Sequence, residues 1–282
     1  MSSTPGTDDL SRKERRDQAR TERKALEEAE RARAAQRRRL IQLGGVLAVV
    51  AVVIAIIAIA AGGSGNNAAP KLKATEKGSS VAHASEVQSL LAGIPQHGAE
   101  LGKPTAPVTM EEFVDLQCPF CRQYTLGVFP TLVSKFVRTG ILRIEFHNYD
   151  IIGPDSQKAS QMAGAVALQN HLWTFADLFY HNQQTENSGY ITDQFLTQIA
   201  SGVQGLDVNK ALTERYSPAV SATISKDNAL ARGYSSQFAG VGAFNGTPSF
   251  LVYKTGGPIQ LFSPSSLTEA GEYESTIKKL AK

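Results

Sequence analysis

The only two cysteines in 282 residues stand three apart, in Cys118-Pro119-Phe120-Cys121. The pair closes an apolar stretch, Val114-Asp115-Leu116-Gln117, and opens a segment, Arg122 to Val137, that can be helical. A thiol at a helix N-terminus meets free backbone N–H donors and the positive end of the backbone dipole. That setting lowers the thiol pKa and makes a reactive thiolate, so C-x-x-C at a strand-to-helix junction reads as a redox pair. Half of a zinc site is the competing reading. A structural zinc site wants four ligands, usually a second C-x-x-C or a close His pair. Here His83, His97, His147, His171 and His181 are scattered. Redox chemistry fits better, and no metal is expected.

Leu40 to Ala61 is a run of 22 uncharged residues dominated by Val, Ile, Leu and Ala. As a helix it reaches roughly 33 Å, enough to cross the hydrocarbon core of a bilayer. A cleaved signal peptide fits badly, because the preceding segment and the apolar run are both too long for one. Residues 1–39 hold twelve Lys/Arg against eight Asp/Glu and end in Arg37-Arg38-Arg39, whereas Gly62 to Pro70 carry no charge. The positive-inside bias therefore holds the N-terminus in the cytoplasm and sends the rest of the chain across the membrane. Residues 62–282 carry 17 basic and 18 acidic side chains, so the overall charge of +3 comes from the tail. It is not a nucleic-acid signal. The expected organisation is a basic cytoplasmic tail (1–39), a single transmembrane helix (40–61), a flexible Gly/Ser/Ala/Lys-rich linker (62–80) and one globular domain (81–282). An outer domain with two cysteines is too poor in them to be a disulfide scaffold. Its pair is expected to act on the disulfides of other proteins.

Within that domain, Val108 to Leu116 reads as a mostly buried strand. The following helix begins at Pro119, is expected to kink at Pro130, and ends at Gly140. Ile141 to Tyr149 has strand composition. From about Asp155 to Ala239 the pattern turns helical, with segments at Ser156–Asn170, Leu172–Asn182 and Ala219–Phe238, and with Thr192 and Asp207 as N-caps. Strand signals return at Ser249–Tyr253 and Ile259–Phe262, and a last helix is expected over Ser266–Leu280. Strand-helix-strand, a helical block, then a hairpin and a helix is the order of an α/β thioredoxin fold with an inserted helical subdomain.

The segment Leu101-Gly102-Lys103-Pro104-Thr105-Ala106-Pro107-Val108, then Glu112-Phe113, then the cysteine pair, and Gly246-Thr247-Pro248-Ser249-Phe250 resemble the DsbA-like thiol–disulfide oxidoreductases. The likeness is to their membrane-tethered kind in Gram-positive and actinobacterial cell envelopes, and covers about residues 95–282. It implies that Cys118 is the nucleophile and Cys121 the resolving thiol. It places Glu112 as a buried acid that relays a proton to or from Cys121. It makes Thr247-Pro248 a cis-proline loop that faces the cysteines and offers backbone to an extended peptide substrate. The redox-active disulfide is itself the reactive group, with no other cofactor. The implied partners are exported proteins with cysteines and a membrane partner that reoxidises the pair.

Pro119-Phe120 departs from the Pro-His dipeptide of the strongest oxidases in the family. Phe120 cannot donate a hydrogen bond to a thiolate, which points to a milder oxidant and keeps reductase or isomerase work open. It also offers an apolar docking surface for peptide. Of the neighbouring acids, strand alternation lets only one of Glu111 and Glu112 point inward, and Asp115 is expected at the surface. Trp173, Phe175, Phe179 and Tyr180, at helical spacing, read as core, and His147 as a satisfied polar group. A different reading of the chain is a tethered sensor, its cysteine pair reporting redox state and its basic tail signalling inside.

Overall fold

Seven residues, Val108–Val114, form strand β3, and every one of them is buried. Burial on both faces requires cover on both sides of the sheet. The computed structural model, which describes residues 81–239, 244 and 246–282, supplies it. The expected tail, transmembrane helix and linker lie outside the described residues. Among the described residues no helix is long and apolar enough to cross a membrane.

β3 pairs in parallel with β4 (Leu142–Asn148) and antiparallel with β5 (Ser249–Lys254). Short strands extend the sheet: β1 (Gln96–His97), β2 (Glu100–Leu101) and β6 (Leu261–Phe262) give the order β1-β2-β4-β3-β5-β6. Before the sheet comes helix α1 (Ala84–Leu91). Between β3 and β4 run α2 (Pro119–Gly127), the single turn α3 (Phe129–Leu132) and a π-helical turn, Val133–Val137. The helical block follows as α4 (Pro154–Ala167), α5 (Leu172–His181), α6 (Asp193–Ser201), α7 (Val208–Glu214) and α8 (Pro218–Gln237), and α9 (Gly271–Leu280) closes the chain. This is the α/β thioredoxin arrangement with a helical insertion between β4 and β5.

Alternation along β3 splits its side chains between two cores. Val108, Met110 and Val114 join the larger cluster with Tyr124, Phe146, Trp173 and Phe250. Phe113 joins a second cluster with Tyr149, Ala231, Phe244, Leu251 and Tyr253. Trp173, Phe175, Phe179 and Tyr180 are core residues of α5. The expected caps are in place, with the Thr192 side chain accepting from Phe195 N and Asp207 from Lys210 N.

The first long helix breaks at Gly127–Val128, in the turn before Pro130, where a proline removes an i→i−4 bond. Gly127 is a glycine for packing, since a Cβ there would sit 2.8 Å from Thr268 Cα. The last helix starts at Gly271, five residues later than expected. Ahead of it, Ser265 N donates to Glu272 Oε2 (2.8 Å) and holds that stretch in a capping loop.

Candidate active site

β3 and the loop after it deliver Cys118 to the N-cap of α2, with φ −69° and ψ 121°, and Pro119 opens the helix. The loop is tied down by its own backbone: Cys118 N donates to Asp115 O (2.9 Å) and Arg122 N to Cys118 O (3.1 Å). Gln183, just past α5, fastens it from the other side, donating from Nε2 to Leu116 O (2.8 Å) and Cys118 O (3.1 Å). Cys118 and Cys121 lie 3.6 Å apart, both as free thiols.

The two thiols have opposite surroundings. The Cys121 side chain, then the Thr247 side chain and the backbone N–H groups of Cys121 and Phe120, draw the Cys118 pKa down to about 6, against the resistance of burial. These amides belong to the first turn of α2, where helix N–H donors have no carbonyl partner. Cys121, one turn inside, is pushed well above the ordinary thiol range by burial first and by Cys118 second. A thiolate at Cys118 and a thiol at Cys121 is the resulting neutral-pH state of the reduced pair.

Thr247–Pro248 is a cis peptide bond, and this loop faces the pair. The Cys118 thiol donates to Thr247 O (3.2 Å), and Ser249 Oγ donates to Gly246 O (2.7 Å) at the start of β5. Phe120, 55% exposed, projects from the first turn of α2. Ile151, 47% exposed, lies in the loop whose backbone is bonded to Asp115.

Glu112 is 3% exposed, faces the larger core, and its Oε2 has no hydrogen-bond partner. Burial pushes its carboxyl up to about 8. Tyr124 and Tyr180 are held well above the phenol range by burial and then by the charges of both Glu112 and Cys121, so these groups share one electrostatic neighbourhood.

Two expectations about acids are overturned. Glu111 does not face solvent. It is buried on the opposite face of β3, where Tyr253 donates to its Oε1 and His147 Nε2 lies 3.5 Å from its Oε2. Alternation separates the two faces of β3, but both are covered, so neither acid escapes. Asp115 is not a surface residue either; it is 0% exposed. Its Oδ1 accepts from Gln117 N (2.8 Å), and its Oδ2 from Ile151 N (3.0 Å), Ile152 N (3.1 Å) and Ser156 Oγ (2.8 Å). The signal for this is local: an Asp two residues before an amide it can bond is an Asx-turn, in a loop that must bend sharply into α2. The anchoring role of Gln183, 62 residues after Cys121, has no local signal.

His147 is a paired polar group, as expected. Burial acts to lower its pKa, but Asp227, 3.1 Å from Nδ1, and Glu111 overcome this and raise it to about 9. Among the described residues no metal-ligating side chain is grouped with the cysteine pair.

A protein-family model described as Thioredoxin matches residues 96–255. The "Probable disulfide bond formation protein D" of Bacillus cereus is 31% identical over 131 residues, covering 45% of this chain and 61% of the relative. The chain thus spans about three-fifths of that relative's length. Among solved structures, oxidised BdbD from Bacillus subtilis superposes with a TM-score of 0.55 at 21% identity, covering 67% of this chain and 97% of that one. Wolbachia pipientis alpha-DsbA1 gives 0.53 at 20% identity, over 68% of this chain and 92% of that one. These structures share the fold. More than half of the sequence matches the family model, and the chain belongs to the thioredoxin family, with a fold like that of these DsbA-type structures.

Proposed function

We propose that the protein is a membrane-anchored thiol–disulfide oxidoreductase that forms or exchanges disulfides in exported proteins through Cys118 and Cys121. The observation that carries this reading is the inequality of the two thiols across a 3.6 Å gap, one lowered to about 6 and the other raised by burial. In the oxidised pair, a substrate thiolate attacks the Cys118 sulfur. The Cys118–Cys121 bond breaks, a mixed disulfide forms, and Cys121 leaves as a thiolate that takes up a proton. A second substrate thiolate then attacks the substrate sulfur of that mixed disulfide, and Cys118 leaves as a stabilised thiolate. Two electrons pass from substrate to enzyme, and a membrane redox partner removes them. No cofactor beyond the pair is required.

Glu112 is the proposed donor of the Cys121 proton, its raised pKa keeping it protonated at neutral pH. Thr247 and Pro248 would present backbone to the substrate peptide opposite Cys118, and Phe120 with Ile151 an apolar surface beside it. Leu40 to Ala61 is proposed as the anchor and the charge step around it as the orientation signal, with the domain outside.

The test uses the full-length chain and a peptide with two free cysteines. The oxidised protein is expected to close the peptide disulfide. Cys121→Ser should accumulate mixed disulfides through Cys118, and alkylation across pH should give Cys118 an apparent pKa near 6. Faster alkylation of Cys121 would reverse the two roles, and an inert pair would remove the function. Phe120 favours one second reading, since it removes a possible donor to the thiolate: a less oxidising pair working as reductase or isomerase. Equilibrium with a glutathione buffer separates the two directions, a strongly oxidising potential excluding the second.

A further inference from the structure

Glu112 does not sit alone beneath the cysteines. Across a small cavity from it, α5 presents Asp177, another acid only 3% exposed, and Phe146, Trp173 and Tyr180 line the space between them. The cavity is about the size of one water molecule. Neither Asp177 oxygen has a hydrogen-bond partner, and neither does Glu112 Oε2. A buried carboxyl without a partner costs stability, so its retention calls for an explanation.

One turn further along α5, towards the surface, stands His181, with Nε2 3.6 Å from Asp177 Oδ1. Its ring stacks on that of His83 at 4.4 Å between centroids, and His83 Nδ1 lies 2.8 Å from the exposed Glu86 Oε2. The line Glu112, cavity, Asp177, His181, His83 therefore runs from the layer of the buried thiol to solvent.

We infer that Asp177 and His181 form a proton path that recharges Glu112 from bulk water each time Glu112 protonates Cys121. The inference rests on the proposed thiol–disulfide activity. When the disulfide is reduced, the leaving Cys121 sulfur takes the proton of Glu112, and Glu112 becomes a carboxylate in a dry core. Its reprotonation requires a donor that reaches it without opening the core. Asp177 holds such a proton and is refilled through His181, so one proton enters from solvent for each one delivered to Cys121. The released substrate proton departs outside, and charge balances.

The proton affinities suit this use. Burial raises Asp177 to about 7, close to the value of about 8 for Glu112, so transfer between them is nearly level. Burial, then His83, lower His181. The groups that bear on this line are the Glu86 and His83 charges on Asp177, His147 and Tyr124 on Glu112, and Arg122 of α2 on His181.

The test follows repeated turnovers of the full-length chain between a dithiol peptide and glutathione disulfide, which re-forms the pair, across pH, in light and heavy water. Asp177→Asn keeps shape and removes the proton; it is expected to leave the first reduction of the pair unchanged, to slow steady turnover by about tenfold near neutral pH and to raise its solvent isotope effect. The pH profile of Cys118 alkylation should stay unchanged. His181→Ala is expected to slow steady turnover too, with recovery on adding imidazole. A merely structural contribution would give neither the isotope effect nor the recovery. Rates, pH profiles and isotope effects equal to the parent's in both folded variants would overturn the path, as would slowing that imidazole leaves untouched. If Asp177→Asn does not fold, His181→Ala with imidazole decides alone. A parent chain that never oxidises the peptide would instead overturn the activity on which the path rests.

Discussion

At Glu112 a single carboxyl couples the chemistry of the site to the stability of the fold. Its pKa rises from an ordinary 4.5 to about 8 because burial penalises the charged form. Between those values the folded chain keeps a proton that the unfolded chain has lost, so stability falls as pH rises from 4.5 towards 8. Glu112→Gln removes that slope. The variant is expected to match the parent near pH 5 and to exceed it near pH 8 by about 1–3 kcal/mol, while slowing Cys121-dependent exchange. Guanidinium unfolding at the two pH values, followed through Trp173, measures it; equal slopes in parent and variant would mean a charged Glu112 in the folded state. Residues of this kind were only partly legible in the sequence. Cys118, Cys121, Thr247 and Pro248 are carried by spacing and by motif. Asp177 is not, since a lone acid reads as surface until tertiary packing covers it, and the Asx-turn that marks Asp115 shows its bend but not its burial.

The elements repeat that division. Thr192 and Asp207 announce their helices because a cap bonds three residues along its own chain. β1, β2 and β6, with two residues each, carry no hydrophobic period, and their pairing depends on β4 and β5 already being in place. The join between α8 and the sheet is also non-local. Asp227 of α8 accepts from Asn148 N (3.1 Å) and lies 3.1 Å from His147 Nδ1 on β4. His147 is raised from 6.5 to about 9 in the fold, so its contribution is fully present below 6.5 and lost as pH rises through 9. Asp227→Ala is therefore expected to cost about 2–4 kcal/mol near pH 6 and less in alkali, read from urea midpoints at constant m. A loss independent of pH would assign the effect to the Asn148 amide alone.

For the whole molecule, the asymmetry of charge about Leu40–Ala61 is what the proposed topology rests on. A reporter that is active only outside the cytoplasm, fused after Lys282, is expected to be active; cytoplasmic activity would move the domain to the reducing side of the membrane. The described domain is one piece for a reason that begins at Asp115. That carboxylate holds the bend before Cys118 with one oxygen and, with the other, the two amides and the hydroxyl that begin the helical block. The insertion is consequently not an interchangeable cassette. A chimera that grafts the helices of a relative onto this sheet would inherit a working cysteine bend only if Asp115, Ser156 and Gln183 travelled together, so residues far apart in the chain are constrained to change as a set.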